Sequence, residues 1–133
     1  MNDKQVEYEE YYKAIEDSSK AITLDPDNAA AFFRRGVAYH AIGRSDLALK
    51  DWDTAIELNP NNASALERRG RSHAYRGEYE QAIKDFGRVI QLRSDNYTAF
   101  NSRGHLYAHL ADCEQALQDL HLVIELEGNH ELV

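Results

Sequence analysis

A step of 34 residues organises this sequence. Gly36, Gly70 and Gly104 stand one step apart, and Ala14, Ala48, Ala82 and Ala116 keep the same interval. So do Ile22, Ile56, Ile90 and Ile124, with Leu24, Leu58, Leu92 and Leu126 two residues further on. Asp17, Asp51, Asp85 and Asp119 form a fifth column. Five columns in register make this an array, in which each unit buries its apolar face against its neighbours rather than alone.

Each step reads as two amphipathic helices. Phe32, Gly36 and Tyr39 are spaced by four and three, which places them on one helical face. After a break at Gly43, the residues Ala48, Trp52, Ala55 and Ile56 repeat that spacing. Pro60 closes the unit, because proline cannot continue a helix, and Asn61 or Asn62 can cap the next one. Glycine inside a helix costs about 1 kcal/mol relative to alanine, so its recurrence implies close packing, expected against the alanine column.

On these residues the segment AFFRRGVAYHAIGRSDLALKDWDTAIELNPNN resembles the tetratricopeptide repeat, through Phe32, Gly36, Tyr39, Ala48, Trp52, Ala55 and Pro60. The next step matches at Leu66, Gly70, Ala82 and Phe86, with His73 in the aromatic place and Ser94 in the proline place. The last matches at Phe100, Gly104, Tyr107 and Ala116, departing at Leu120 and Gly128. The resemblance implies an all-α fold, a right-handed superhelical solenoid of antiparallel helix pairs with about three and a half repeats. Its expected divisions are a half repeat over 1–28, of second-helix type only, then repeats over 29–62, 63–96 and 97–130. Residues 131–133 would start a further repeat or form a tail. Neither end carries an obvious polar cap, so the chain is expected to be part of a longer protein or to associate through its ends; Leu117, Val123 and Ile124 are the side chains expected to lie bare.

No apolar run approaches the ~20 residues that span a bilayer, and the first residues lack the character of a signal peptide. The single cysteine, Cys113, excludes an internal disulfide and points to a reducing, cytoplasmic setting. A net charge of −8 argues against a general nucleic-acid or anionic-membrane surface. That charge is unevenly spread. The first helices, 29–42, 63–76 and 97–110, hold seven arginines and one acid, Glu67, for +6, which leaves −14 elsewhere.

No glycine-rich phosphate loop or paired-cysteine zinc pattern occurs, so neither an enzyme nor a cofactor is indicated. Cys113 shares a column with Tyr11 and Tyr79 and is expected to pack. His105 and His109, four apart, have the spacing of two metal ligands but lack the others a site needs, so no metal is expected. Arg35, Arg69 and Arg103 precede the signature glycines, and the aspartate column follows 16 residues later. A ladder of ion pairs between packed helices is expected, each aspartate meeting the arginine of its own repeat or of the next.

In proteins of the resembled family the first helices line a concave groove that receives a partner peptide or helix. Here the groove positions fall on Phe33, Arg34, Val37 and His40, then Glu67, Arg68, Arg71 and Tyr75, then Asn101, Ser102, His105 and His109. Arginine forks, amides and hydroxyls suit carboxylates and peptide backbone, while Phe33, Val37 and Tyr75 can hold apolar groups. The family's clamp for the C-terminal carboxylate of heat-shock chaperones uses a lysine and an asparagine, then an asparagine, then a lysine and an arginine, where this chain has Phe33 and Val37, then Arg68, then Thr98 and Ser102. The sequence therefore reads as a protein-interaction scaffold for an acidic or C-terminal peptide. The alternatives are a self-associating structural segment and, disfavoured by charge and period, an RNA-binding helical repeat.

Overall fold

Helix caps recur with the period of the sequence. The structure, a computed structural model, describes residues 3–131, and side chains from 5 to 128. Seven helices and no strand are found among them: α1 (Asp3–Leu24), α2 (Ala29–Ala41), α3 (Ser45–Leu58), α4 (Ala63–Tyr75), α5 (Tyr79–Leu92), α6 (Tyr97–His109) and α7 (Cys113–Glu131). Asn28, Asn62 and Asn96 each accept, through the side-chain oxygen, the amide three residues on, at 3.0–3.1 Å. One column of asparagines thus caps α2, α4 and α6. At the other end of these helices, the Arg44, Glu78 and Asp112 amides each donate to the carbonyl five residues back, at 2.8 Å. This is the Schellman closure, which needs a left-handed residue just before the donor. Gly43 and Gly77 supply it with φ of 83° and 80°, and Ala111 supplies it with φ of 62°.

The chain forms two compact units, residues 1–65 and 66–133, with the break inside α4. In the first, α2 packs on α1 and α3. Its core is built on Ala31, Ala38, Ala48, Trp52 and Ala55, all buried. In the second, α6 packs on α5 and α7 around Leu66, Phe86, Val89, Phe100 and Leu106. Small residues set the approach, though not as glycine against alanine. A Cβ on Gly36 would fall 2.5 Å from Trp52 Nε1, one on Gly70 would fall 3.2 Å from the Phe86 ring, and one on Gly104 would fall 3.0 Å from Leu120 Cγ. Each glycine makes room for the bulky side chain of the opposing helix.

The ion-pair ladder closes within repeats. Arg35 grips Asp51 with two bonds of 2.7 Å. Arg69 holds Asp85 at 2.9 and 2.7 Å, and Arg103 holds Asp119 at 2.8 and 2.7 Å. All three aspartates are buried. The guanidinium of Arg35 lies over the rings of Phe32 and Tyr39, and that of Arg103 over Phe100 and Tyr107. Asp17, the first member of the aspartate column, is exposed.

Several sequence expectations are corrected. Cys113 is exposed, because α7 begins with it and no following helix among the described residues covers it as α6 flanks Tyr79. Val123 is buried, in the same column as buried Val89, and faces the core instead of lying bare. Helix α7 continues through Gly128 to Glu131, past the place where Leu58 and Leu92 end α3 and α5. Leu132 and Val133 lie outside the described residues.

Candidate functional site

The second unit carries a hollow of about 500 Å³ between its first-type helices. Arg71, Ala74 and Tyr75 line it from α4, and Asn101, Ser102, His105, Leu106 and His109 from α6. Tyr79 and Phe86 of α5 complete the lining. Helical spacing explains the set: residues 71, 74 and 75, and 101, 102, 105 and 109, each form one stripe of a helix. Phe86 and Leu106 are buried and make an apolar base. Tyr75 is 95% exposed and stands at the rim as an uncommitted aromatic surface. The His109 ring tilts against Tyr79 with centroids 4.4 Å apart. A volume of several hundred Å³, mostly apolar with a few convergent polar groups, is the usual character of a recognition site.

Of the eight groove positions assigned to this unit, the hollow gathers Arg71, Tyr75, Asn101, Ser102, His105 and His109. Glu67 and Arg68 are half-buried on α4 outside the lining. Ala74, Tyr79, Phe86 and Leu106 were not among the expected residues. Tyr79 and Phe86 escaped because they belong to a second helix, and Phe86 and Leu106 because they also serve the core. In the first unit, Arg34 and His40 are exposed while Phe33 and Val37 are half-buried. The His40 ring lies 5.9 Å from that of Trp52.

The excess positive charge of the first helices is smaller than it looks from the sequence. Three of the seven arginines are spent on Asp51, Asp85 and Asp119. The Asp51 hydrogen bond raises the pKa of Arg35 above its ordinary value, against the lowering effect of burial, and Asp119 does the same for Arg103. Arg76 lies 3.3 Å from Glu78, and Arg71 donates to Glu67 at 2.6 Å. Among the described residues, Arg34 and Arg68 have no carboxylate partner. His73 sits 3.4 Å from Glu78 and 4.0 Å from Asp85, in the place where the other repeats put a tyrosine. Among the described residues, no group of three or more His, Cys, Asp or Glu is placed to hold a metal. None of their helices is long and apolar enough to cross a membrane.

Comparison with known proteins gives one consistent result. Models of the tetratricopeptide repeat match residues 29–62 and 52–84, and a further repeat model of the same kind matches 6–43 and 70–110. No curated protein matches the chain. Among solved structures, that of MamA superposes with a TM-score of 0.86 at 25% identity, covering 92% of this chain and 72% of its own. The MamA fragment from Desulfovibrio magneticus RS-1 gives 0.79 at 22% identity, covering 90% and 68%. The first such domain of Spaghetti (RPAP3), solved bound to the HSP90 peptide SRMEEVD, gives 0.72 at 30% identity, covering 81% and 86%.

Proposed function

Since the chain belongs to the tetratricopeptide-repeat family, whose domains mediate protein–protein interaction, we propose that it is a non-catalytic binding module for an acidic peptide segment of a partner protein. The observation that carries this is the α4–α6 hollow, where Arg71, Asn101, Ser102 and His105 converge over the apolar base of Phe86 and Leu106. An arginine at the edge of an apolar cleft answers a carboxylate, and the cleft answers the aliphatic or aromatic residue beside it. The RPAP3 neighbour, bound to a peptide with two glutamates and a terminal aspartate, supports a ligand of this kind. The terminal-carboxylate clamp has no counterpart at Phe33, Val37, Arg68, Thr98 and Ser102, so recognition rests on internal acidic side chains. With one exposed cysteine and no spanning helix among the described residues, the cytoplasm is the natural setting.

The test is anisotropy with a fluorescein-labelled peptide of alternating glutamate and leucine. Arg71→Glu should weaken binding at least about tenfold, and added salt should weaken it further. The fold should survive, because Arg71 is exposed and outside the packing columns. Equal binding by Arg71→Glu, without salt dependence, would contradict the reading.

A second reading, self-association, is favoured by the outer face of α7. Leu117 and Ile124 are 69% and 67% exposed, and with Leu120 and His121 they line a hollow of about 450 Å³. Ile83 and Ile90, in the same columns on α5, are half-buried. On this reading a second copy covers Leu117 and Ile124, and sedimentation should show a concentration-dependent dimer that Leu117→Glu abolishes. A wild-type monomer at all concentrations would dismiss it.

A further inference from the structure

The arginine at the edge of the candidate site is already occupied. Glu67, the one acid in the first-helix segments, lies a single turn before Arg71, and its Oε1 accepts from Arg71 Nη2 at 2.6 Å. Glutamate four residues before a cation is the favourable order on a helix. The two partners are unequally placed, since 25% of the Glu67 side chain and 57% of the Arg71 side chain is exposed. Arg71 lines the α4–α6 hollow and Glu67 does not. The guanidinium therefore reaches the ligand space while its carboxylate partner stays behind it on α4.

We propose that Glu67 is an intramolecular stand-in for the ligand, so that binding exchanges one carboxylate on Arg71 for another. This rests on the assignment of the hollow as an acidic-peptide site. In the exchange, the Arg71 N–H bond to Glu67 Oε1 breaks, a bond to a ligand carboxylate oxygen forms, and Glu67 turns to water. No proton moves. An exposed pair of this spacing is weak enough for a ligand to displace. A neutral acceptor gains less from an arginine than a carboxylate does, and it would still have to displace Glu67. The pair thus lowers the affinity of any segment that takes Arg71, and the preference for acidic over neutral segments comes from Arg71 itself. It also keeps Arg71 satisfied when the site is empty.

A double-mutant cycle measures this with two labelled peptides, one alternating glutamate with leucine and one alternating glutamine with leucine. Wild type, Glu67→Gln, Arg71→Gln and the double variant are compared by anisotropy. Glu67→Gln should bind the glutamate peptide about 1.5- to twofold more tightly. That gain should vanish when Arg71→Gln is also present, because no cation remains to be released. The glutamine peptide must break the same bond, so it should also gain with Glu67→Gln, by no more than the glutamate peptide and only where Arg71 is intact. If Glu67→Gln tightens binding equally in both backgrounds, Glu67 acts as a diffuse negative charge and the exchange is wrong. If Glu67→Gln leaves affinity unchanged while Arg71→Gln weakens it, the stand-in is wrong and the binding site survives. If Arg71→Gln binds the glutamate peptide as wild type does, the site assignment fails and the exchange fails with it.

Discussion

The hairpins α2–α3 and α6–α7 hold the same scaffold and fill it differently. In both, an arginine one residue before the glycine makes two bonds to an aspartate 16 residues on, and two aromatic rings flank the guanidinium. Both close with the same pair of turn bonds. Against Gly36 stands Trp52, 1% exposed; against Gly104 stands Leu120, half-buried. The indole fills the space fully but leaves its Nε1–H without an acceptor, a loss of about 1–3 kcal/mol. Behind Arg35, Ser19 of α1 accepts a further bond at 3.2 Å, whereas behind Arg103 α5 presents Gly87, whose Cβ would lie 3.6 Å from Nη1. The polar frame is the same in both hairpins, and the apolar filling is negotiable. Geometry explains the asymmetry. A bidentate pair tolerates little displacement, while an apolar gap accepts any side chain of about the right size.

The comparison is broken most sharply at the glycines. Gly36→Ala sets a methyl 2.5 Å from a buried, rigid indole, and should cost about 2 kcal/mol even after the gain in helix propensity. Gly104→Ala meets Leu120 at 3.0 Å, and a half-buried leucine can turn aside, so its net effect should stay within about 1 kcal/mol of zero. Urea unfolding of the two variants checks this. Equal costs would show that the two interfaces are equally tight.

A smaller effect is expected at the turns. Ala111 adopts φ of 62° where the other two turns have glycine. An L-residue with a Cβ is strained there, so Ala111→Gly should stabilise by about 0.5–1 kcal/mol, reduced from the full strain by the greater freedom of glycine in the unfolded chain. Thermal unfolding measures it. A destabilised Ala111→Gly would mean that the α6–α7 turn tolerates its alanine without strain.

Much of this fold was legible because a repeat states each contact several times. The period located all seven helices, and the arginine and aspartate columns announced a ladder. They did not say which aspartate each arginine would meet. That depends on whether the helix pair of one repeat approaches closer than the next, and the columns are equally spaced either way. The glycine's partner was misread for a related reason: residues 36 and 52 are related by packing of two helices, not by periodicity along one. That Arg71, Asn101 and His105 face one hollow follows from their place on the first helices. Tyr79 and Phe86 were not legible, because the lining draws on the helix behind. Charge was the least reliable guide, since counting arginines does not reveal that Asp51, Asp85 and Asp119 have already neutralised three of them.

The central claim is that an acidic segment docks in the α4–α6 hollow of the second unit. Its most direct test is amide chemical-shift mapping of the wild-type protein titrated with the glutamate–leucine peptide. The account predicts that the largest shifts fall on Arg71, Tyr75, Tyr79, Asn101, His105 and His109, saturating together with one affinity. Shifts centred instead on Leu117, His121 and Ile124 of α7, with α4 and α6 silent, would contradict it.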